Sequence, residues 1–148
     1  MNNEIKELYD TFADDYLTIS KKYLQINDSD IEETLMNHSA IYAYFAALLS
    51  FAKKVRDDLT IKLDKDEADI MAARRLALES GGTKATQGAL NSYVLSVPEL
   101  VSTRQKLVNA DSRYTLAKSL INALDHQKDC LVQISANKRA EAKLFSTN

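Results

Sequence analysis

Residues that break or turn a backbone are almost missing from this chain: three glycines and one proline in 148 residues, where average usage gives roughly ten and seven. Glycine opens left-handed conformations and proline stops helices, so a chain poor in both has few places to reverse. Long helices are the expected outcome. At 45% hydrophobic and 27% charged, the composition fits folding and argues against wholesale disorder. The length fits one domain or one assembly subunit.

The spacing of apolar residues predicts where the helices run. Over residues 3–26, Ile5, Leu8, Phe12, Tyr16, Ile19 and Tyr23 recur every three or four positions and form one stripe. Asn27-Asp28 breaks it. Ser29-Asp30-Ile31-Glu32 then reads as a capping box, the serine accepting from the glutamate N–H and the glutamate reaching back. No breaker follows until Gly81-Gly82, and a continuous helix over 30–79 would measure about 75 Å. Ile41, Phe45, Leu48, Ala52, Val55 and Leu59 follow a 4-3-4-3-4 spacing, the seam of a coiled coil. The seam weakens at Asp64-Lys65-Asp66-Glu67, a place for a bend. Gly81-Gly82 supplies a helix stop. Thr83 or Thr86 caps a short helix through Val94, and Ser96-Val97-Pro98-Glu99 is a second capping-box pattern with proline in the first turn. A last helix runs from Pro98 to about Leu144. Its seam is Leu107, Ala110, Tyr114, Ala117, Ile121 and Leu124, interrupted at Lys128 and resumed at Leu131.

The expected fold is all-α. Residues 28–148 form a long antiparallel, coiled-coil-like hairpin with a glycine-containing connector near 80–97, behind an acidic helix or arm over 1–27. Two helices enclose little interior, so other copies of the chain are expected to cover the seams.

Charge is unevenly spread. The net charge of −2 divides into −6 over residues 1–40, −1 over 41–69 and +5 over 70–148. Such a split points to a polyanionic partner for the basic part. The start, Met1-Asn2-Asn3-Glu4, lacks the pattern of a signal peptide. The apolar run from Ala40 to Ala52 falls short of the ~20 residues of a membrane span. One cysteine, Cys130, allows no internal disulfide, so a cytoplasmic setting with no membrane partner is expected.

No catalytic constellation stands out. His126 and Cys130 share a helix face, but a structural zinc site needs four ligands. His38 lies far away in sequence, and the pair reads as a surface histidine beside a half-buried cysteine. Gly81-Gly82-Thr83-Lys84 has the wrong order for a phosphate loop and follows a helix. Neither enzyme activity, a metal nor another cofactor is expected. What remains is basic. Lys53, Lys54 and Arg56 follow the aromatic stretch Tyr42, Tyr44, Phe45 and Phe51. Arg74 and Arg75 precede Gly81, and Lys84 follows it. Further cations, among them Arg104, Lys106, Arg113, Lys118, Lys128, Lys138 and Arg139, stud the second half. Guanidinium forks grip phosphates, and a glycine turn allows close approach. The aromatics, at helical spacing, are expected in the core, with Tyr42 and Tyr44 partly exposed.

Ala73-Arg74-Arg75-Leu76 is followed four residues on by Ser80-Gly81. Tyr42 to Phe45 forms an aromatic element upstream. Val94 through Arg139 holds a run of leucines, a mid-helix Tyr114 and a basic close, with Thr86 and Pro98 ahead of the long helix. In these features, over roughly residues 40–140, the chain resembles the UvsY-like recombination mediators of bacteriophages. The resemblance implies a non-enzymatic single-stranded DNA-binding protein that assembles into ring-like homo-oligomers. It implies that the protein helps a recombinase load onto strands covered by single-strand-binding protein, in a host cytoplasm if phage-encoded. It places DNA contact on Arg74 and Arg75, with Lys84, Lys53, Lys54 and Arg56 as further binding candidates. The chain departs from the family where lysines would precede the arginines, since Asp69, Ile70, Met71 and Ala72 stand there. The acidic first helix also exceeds the family pattern and reads as an autoinhibitory or partner-binding arm. The alternative expectation is an all-helical interaction module, a scaffold or an inhibitor of another protein, with no DNA binding. Deletion of residues 1–40 would separate the two.

Overall fold

The computed structural model of the protein describes residues 3–27 and 29–146, except for the side chains of 145 and 146. The described residues form four α-helices and no strand: α1 Asn3–Leu24, α2 Ile31–Ser80, α3 Gln87–Ser96 and α4 Pro98–Ser146. The chain is all-α; α2 ends at Gly81-Gly82 and Pro98 opens α4, whereas α1 stops at Leu24, ahead of the expected break, and Gly88 lies inside α3. Asp28, half of the expected Asn27-Asp28 break, lies outside the described residues. α2 is unbroken through Asp64-Lys65-Asp66-Glu67.

The ends of α2 and α3 and the start of α4 have local causes. α2 opens one residue later than the capping-box reading, because the Thr34 N–H bonds the Asp30 carbonyl at 2.8 Å. It closes in a Schellman motif. Gly82 adopts φ 72°, the Thr83 N–H reaches the Leu78 carbonyl at 2.9 Å, and the Gly82 N–H reaches Glu79 at 3.1 Å. Of the two candidate caps for the short helix, Thr86 takes the role, its hydroxyl accepting from the Ala89 N–H at 3.3 Å. α3 ends because Val97 precedes proline, which disfavours helical backbone there; Val97 sits at φ −70°, ψ 118°. Pro98 then opens α4 with no N–H to leave unpaired. The second capping box is not made: Ser96 Oγ donates back to the Tyr93 carbonyl at 2.7 Å, and Val97 occupies the cap position.

Contacts divide the chain into two units, Met1–Ala52 with Arg113–Asn148, and Lys53–Ser112. The first is built from α1, the start of α2 and the later part of α4. Tyr9 and Phe12 of α1 are buried in it, together with Phe45, Leu48, Ala52, Leu120, Leu124 and Leu131. Truncating a buried phenylalanine such as Phe12 costs about 3–5 kcal/mol. Two neighbours on α4 widen its buried stripe beyond a coiled-coil seam, and polar residues join it. Gln127, not residue 128, turns inward, and its amide donates to the Tyr23 carbonyl near the end of α1 at 2.9 Å. His38 is buried seven residues from both Ile31 and Phe45 on α2. Its Nε2 lies 2.9 Å from the Leu124 carbonyl; a carbonyl only accepts, so Nε2 carries the proton.

The second unit packs Leu63 of α2, Val94 of α3 and Leu100 of α4, with Ile70, Met71, Val97 and Leu107 against them. Arg104 fastens it, its guanidinium 2.6 Å from Glu67 Oε1 and within reach of the Val94 carbonyl at 3.4 Å.

Candidate nucleic-acid interface

Folding redistributes the charge that the sequence shows. The basic tail from Arg113 joins the acidic N-terminal part in one unit. That unit carries nine basic and twelve acidic residues, a net of −3, and the other carries ten and nine, a net of +1. No broadly basic lobe results. Several cations are also held internally. Arg104 is tied to Glu67 and Val94. Arg113 stacks 5.0 Å over the Tyr9 ring and donates to the Asp10 carbonyl.

The six binding candidates all lie in the second unit, but in two places. Lys53 and Lys54 are exposed on α2, about 30 Å along the helix from Arg74 and Arg75 at the α-helical rise. Asp57 and Asp58 lie within one turn of them. Arg56 is paired with Asp57 at 2.7 Å, which further reduces the charge offered there. The group at the end of α2 differs. Arg74, Arg75 and Lys84 are all exposed, and Glu79 is the sole carboxylate between Asp69 and Glu99.

The turn to α3 shapes this second place. Leu90 and Val94 anchor α3 inward, which leaves its other faces beside the arginines. The Arg74 guanidinium lies 4.7 Å from the ring centroid of Tyr93. Tyr93 is 40% exposed. Arg75 reaches Gln87 Oε1 at 3.4 Å, and Gln87 donates to Asn91 Oδ1 at 2.9 Å. Arg74 thus pairs with a phenol ring and Arg75 with a chain of two side-chain amides, on the two flanks of the buried Leu90 and Val94 stripe of α3. Phosphates, sugars and bases are the groups that such a set can engage. Neither Tyr93 nor the amides were among the sequence candidates. A single tyrosine on a ten-residue helix carries no periodic signal, and only the pairing with Arg74 marks it.

Of the aromatics of α2, Phe45 is buried, edge-on to Tyr23 at 5.1 Å, and Tyr42 and Tyr44 are half-buried, as expected; Phe51, expected in the core, is also half-buried. Cys130, expected half-buried, is exposed. Among the described residues no group of three or more His, Cys, Asp and Glu is placed to hold a metal. No described helix is long and apolar enough to cross a membrane. A depression of about 520 Å³ mixes Asp30, Glu32 and Glu33 with Lys138 and Arg139, so it selects no single ligand charge. No family model, no curated protein and no solved structure matches the chain.

Proposed function

We propose that the chain is a non-enzymatic single-stranded DNA-binding protein of the recombination-mediator type. In this reading it works as a ring-like homo-oligomer in the cytoplasm and helps a recombinase load onto strands covered by single-strand-binding protein. The observation that carries it is the exposed Arg74–Arg75 pair at the glycine stop of α2, in a stretch with one carboxylate. Each copy neutralises only a few phosphates. A ring presents many copies to one strand and raises the effective concentration of each. A coiled-coil-like hairpin of α2 and α4 belongs to the same proposal. Its support is the opposite order of contacts: Asp30 to Met36 face Ser135 to Ala142, whereas His38 faces Leu124.

Fluorescence anisotropy of a labelled oligo-dT strand, titrated at several salt concentrations, tests the reading. Tight binding at low salt that falls steeply as salt rises supports it. A folded protein that binds no strand at low salt sinks it. On single strands each phosphate contact contributes about −0.7 to the slope of log K against log salt. Arg74→Ala combined with Arg75→Ala should therefore weaken binding on every sequence and flatten the slope by up to about 1.4 for each copy in contact with the strand. An unchanged slope moves the contact elsewhere.

One observation favours the alternative, a protein-binding module without DNA affinity: Glu4, Glu7, Asp10, Asp14 and Asp15 of α1 are all exposed. Deleting residues 1–40 no longer separates the readings, because it removes Phe12, Ile31 and His38 from the core. Asp14→Asn with Asp15→Asn keeps the core. Stronger strand binding by that variant marks α1 as a shield on a DNA binder. Lost binding of a protein partner, with no strand binding in either form, favours the module.

A further inference from the structure

We infer that Tyr93 is a base-stacking residue, so that the surface at the end of α2 takes nucleobases as well as phosphates; this rests on the single-stranded DNA reading. An exposed aromatic ring in a helical protein is ordinarily drawn into a core. Tyr93 is not, because Leu90 and Val94 fill the inward positions of α3, at 0% and 4% exposure. The ring instead sits against Arg74 at 4.7 Å. A guanidinium over an aromatic ring is attracted by the quadrupole of the ring, which favours keeping the two together. The pair is a pre-ordered platform, and 40% of Tyr93 stays exposed to receive a base.

The surroundings suit a nucleotide rather than an apolar side chain. Gln87 links Arg75 to Asn91 through its amide, at 3.4 Å and 2.9 Å. These polar groups lie on the same short helix as Tyr93, and the group seated against the ring itself is the charged Arg74, not hydrocarbon. The connector between α2 and α3 adds the exposed Lys84. Stacking tolerates any base, because every base has a π-face, whereas phosphate grip comes from the cations. Arg74 serves both: its guanidinium lies over the Tyr93 ring, and its five N–H donors include ones for phosphate. Tyr93 therefore supplies affinity for bases that no count of charges would show.

The test compares two labelled strands of equal length and charge, oligo-dT and an abasic backbone, at one salt concentration. Wild type should bind oligo-dT about tenfold more tightly than the abasic strand. Tyr93→Ala should lose that preference, the loss on oligo-dT exceeding any loss on the abasic strand, and Tyr93→Phe should keep it. The chain has no tryptophan, so Tyr93→Trp introduces a single reporter whose emission oligo-dT, but not the abasic strand, should quench. Three results overturn the inference: equal oligo-dT affinity for wild type and Tyr93→Ala, an equal loss on both strands, or no quenching. If Arg74→Ala with Arg75→Ala still weakens binding in those cases, the strand-binding reading survives without Tyr93. If wild type binds neither strand, both fall together.

Discussion

Tyr44 shows how a residue expected only to be partly exposed acquires a role once its neighbours are known. Its phenol is half-buried. Partial burial, and then the Glu4 carboxylate that it faces and bonds, hold its pKa above the usual 10.0. The folded protein thus keeps a proton that the unfolded chain gives up first. Stability from this contact is complete below about pH 10 and is lost as pH rises through the folded value. Urea midpoints should therefore fall more steeply from about pH 9 to about pH 11 in wild type than in Tyr44→Phe. Parallel slopes would mean that the Glu4–Tyr44 contact does not hold α1 to α2. The same scale explains which residues the sequence concealed. His38, Thr103 and Gln127 are buried, yet a seam traced through apolar letters passes them by, because the carbonyls that satisfy His38 and Gln127 belong to other helices. Arg104 and Arg113 look like free surface charge until Glu67 and the Tyr9 ring are seen beside them.

At the scale of elements the sequence was far more legible, and for one reason: where breakers are rare, most of them mark an end, Gly88 in the first turn of α3 being the exception. Gly81-Gly82 and Pro98 set three boundaries between them. The exceptions are caps, where two local solutions compete within one residue. Ser96 bonds backward to Tyr93 because Val97, ahead of proline, has already left the helix. The end of α2 depends on Gly82 in a way that can be measured. Its φ of 72° lies in the left-handed region, and nothing stands within 4 Å of where a Cβ would be. Gly82→Ala therefore meets backbone strain without a clash. It should lower stability by about 1 kcal/mol, seen as a lower urea midpoint at unchanged m-value. Gly81→Ala should cost less than Gly82→Ala, since only Gly82 has positive φ and the added Cβ at Gly81 meets carbonyl oxygens at an ordinary 3.5 Å. If the two cost the same, the Schellman geometry is not what ends the helix.

At the scale of the whole molecule, the proposed assembly needs a surface that joins copies, and the exposed surface of the second unit is not uniformly polar. In the second unit Ile61, Leu76, Leu95, Val101 and Val108 are each at least 50% exposed. Val101 and Val108 stand seven apart, on one face of α4, as a repeated seam would place them. Ile61, Ala68, Ala72 and Leu76 form a similar exposed row on α2. Surfaces of this kind mark interaction sites, and copies of the same chain are the expected cover. Sedimentation equilibrium of wild type should therefore give a mass several times 16.6 kDa. Val101→Glu with Val108→Glu should shift it toward the single chain while helicity is kept, because both side chains are exposed in one copy. Assembly and strand affinity are coupled in the multivalent reading, so the dissociated variant should also bind oligo-dT at least tenfold more weakly, with Arg74 and Arg75 intact. A variant that stays assembled puts the interface elsewhere. One that dissociates and still binds as wild type does would show that a single copy suffices, and would remove the ring from the mechanism.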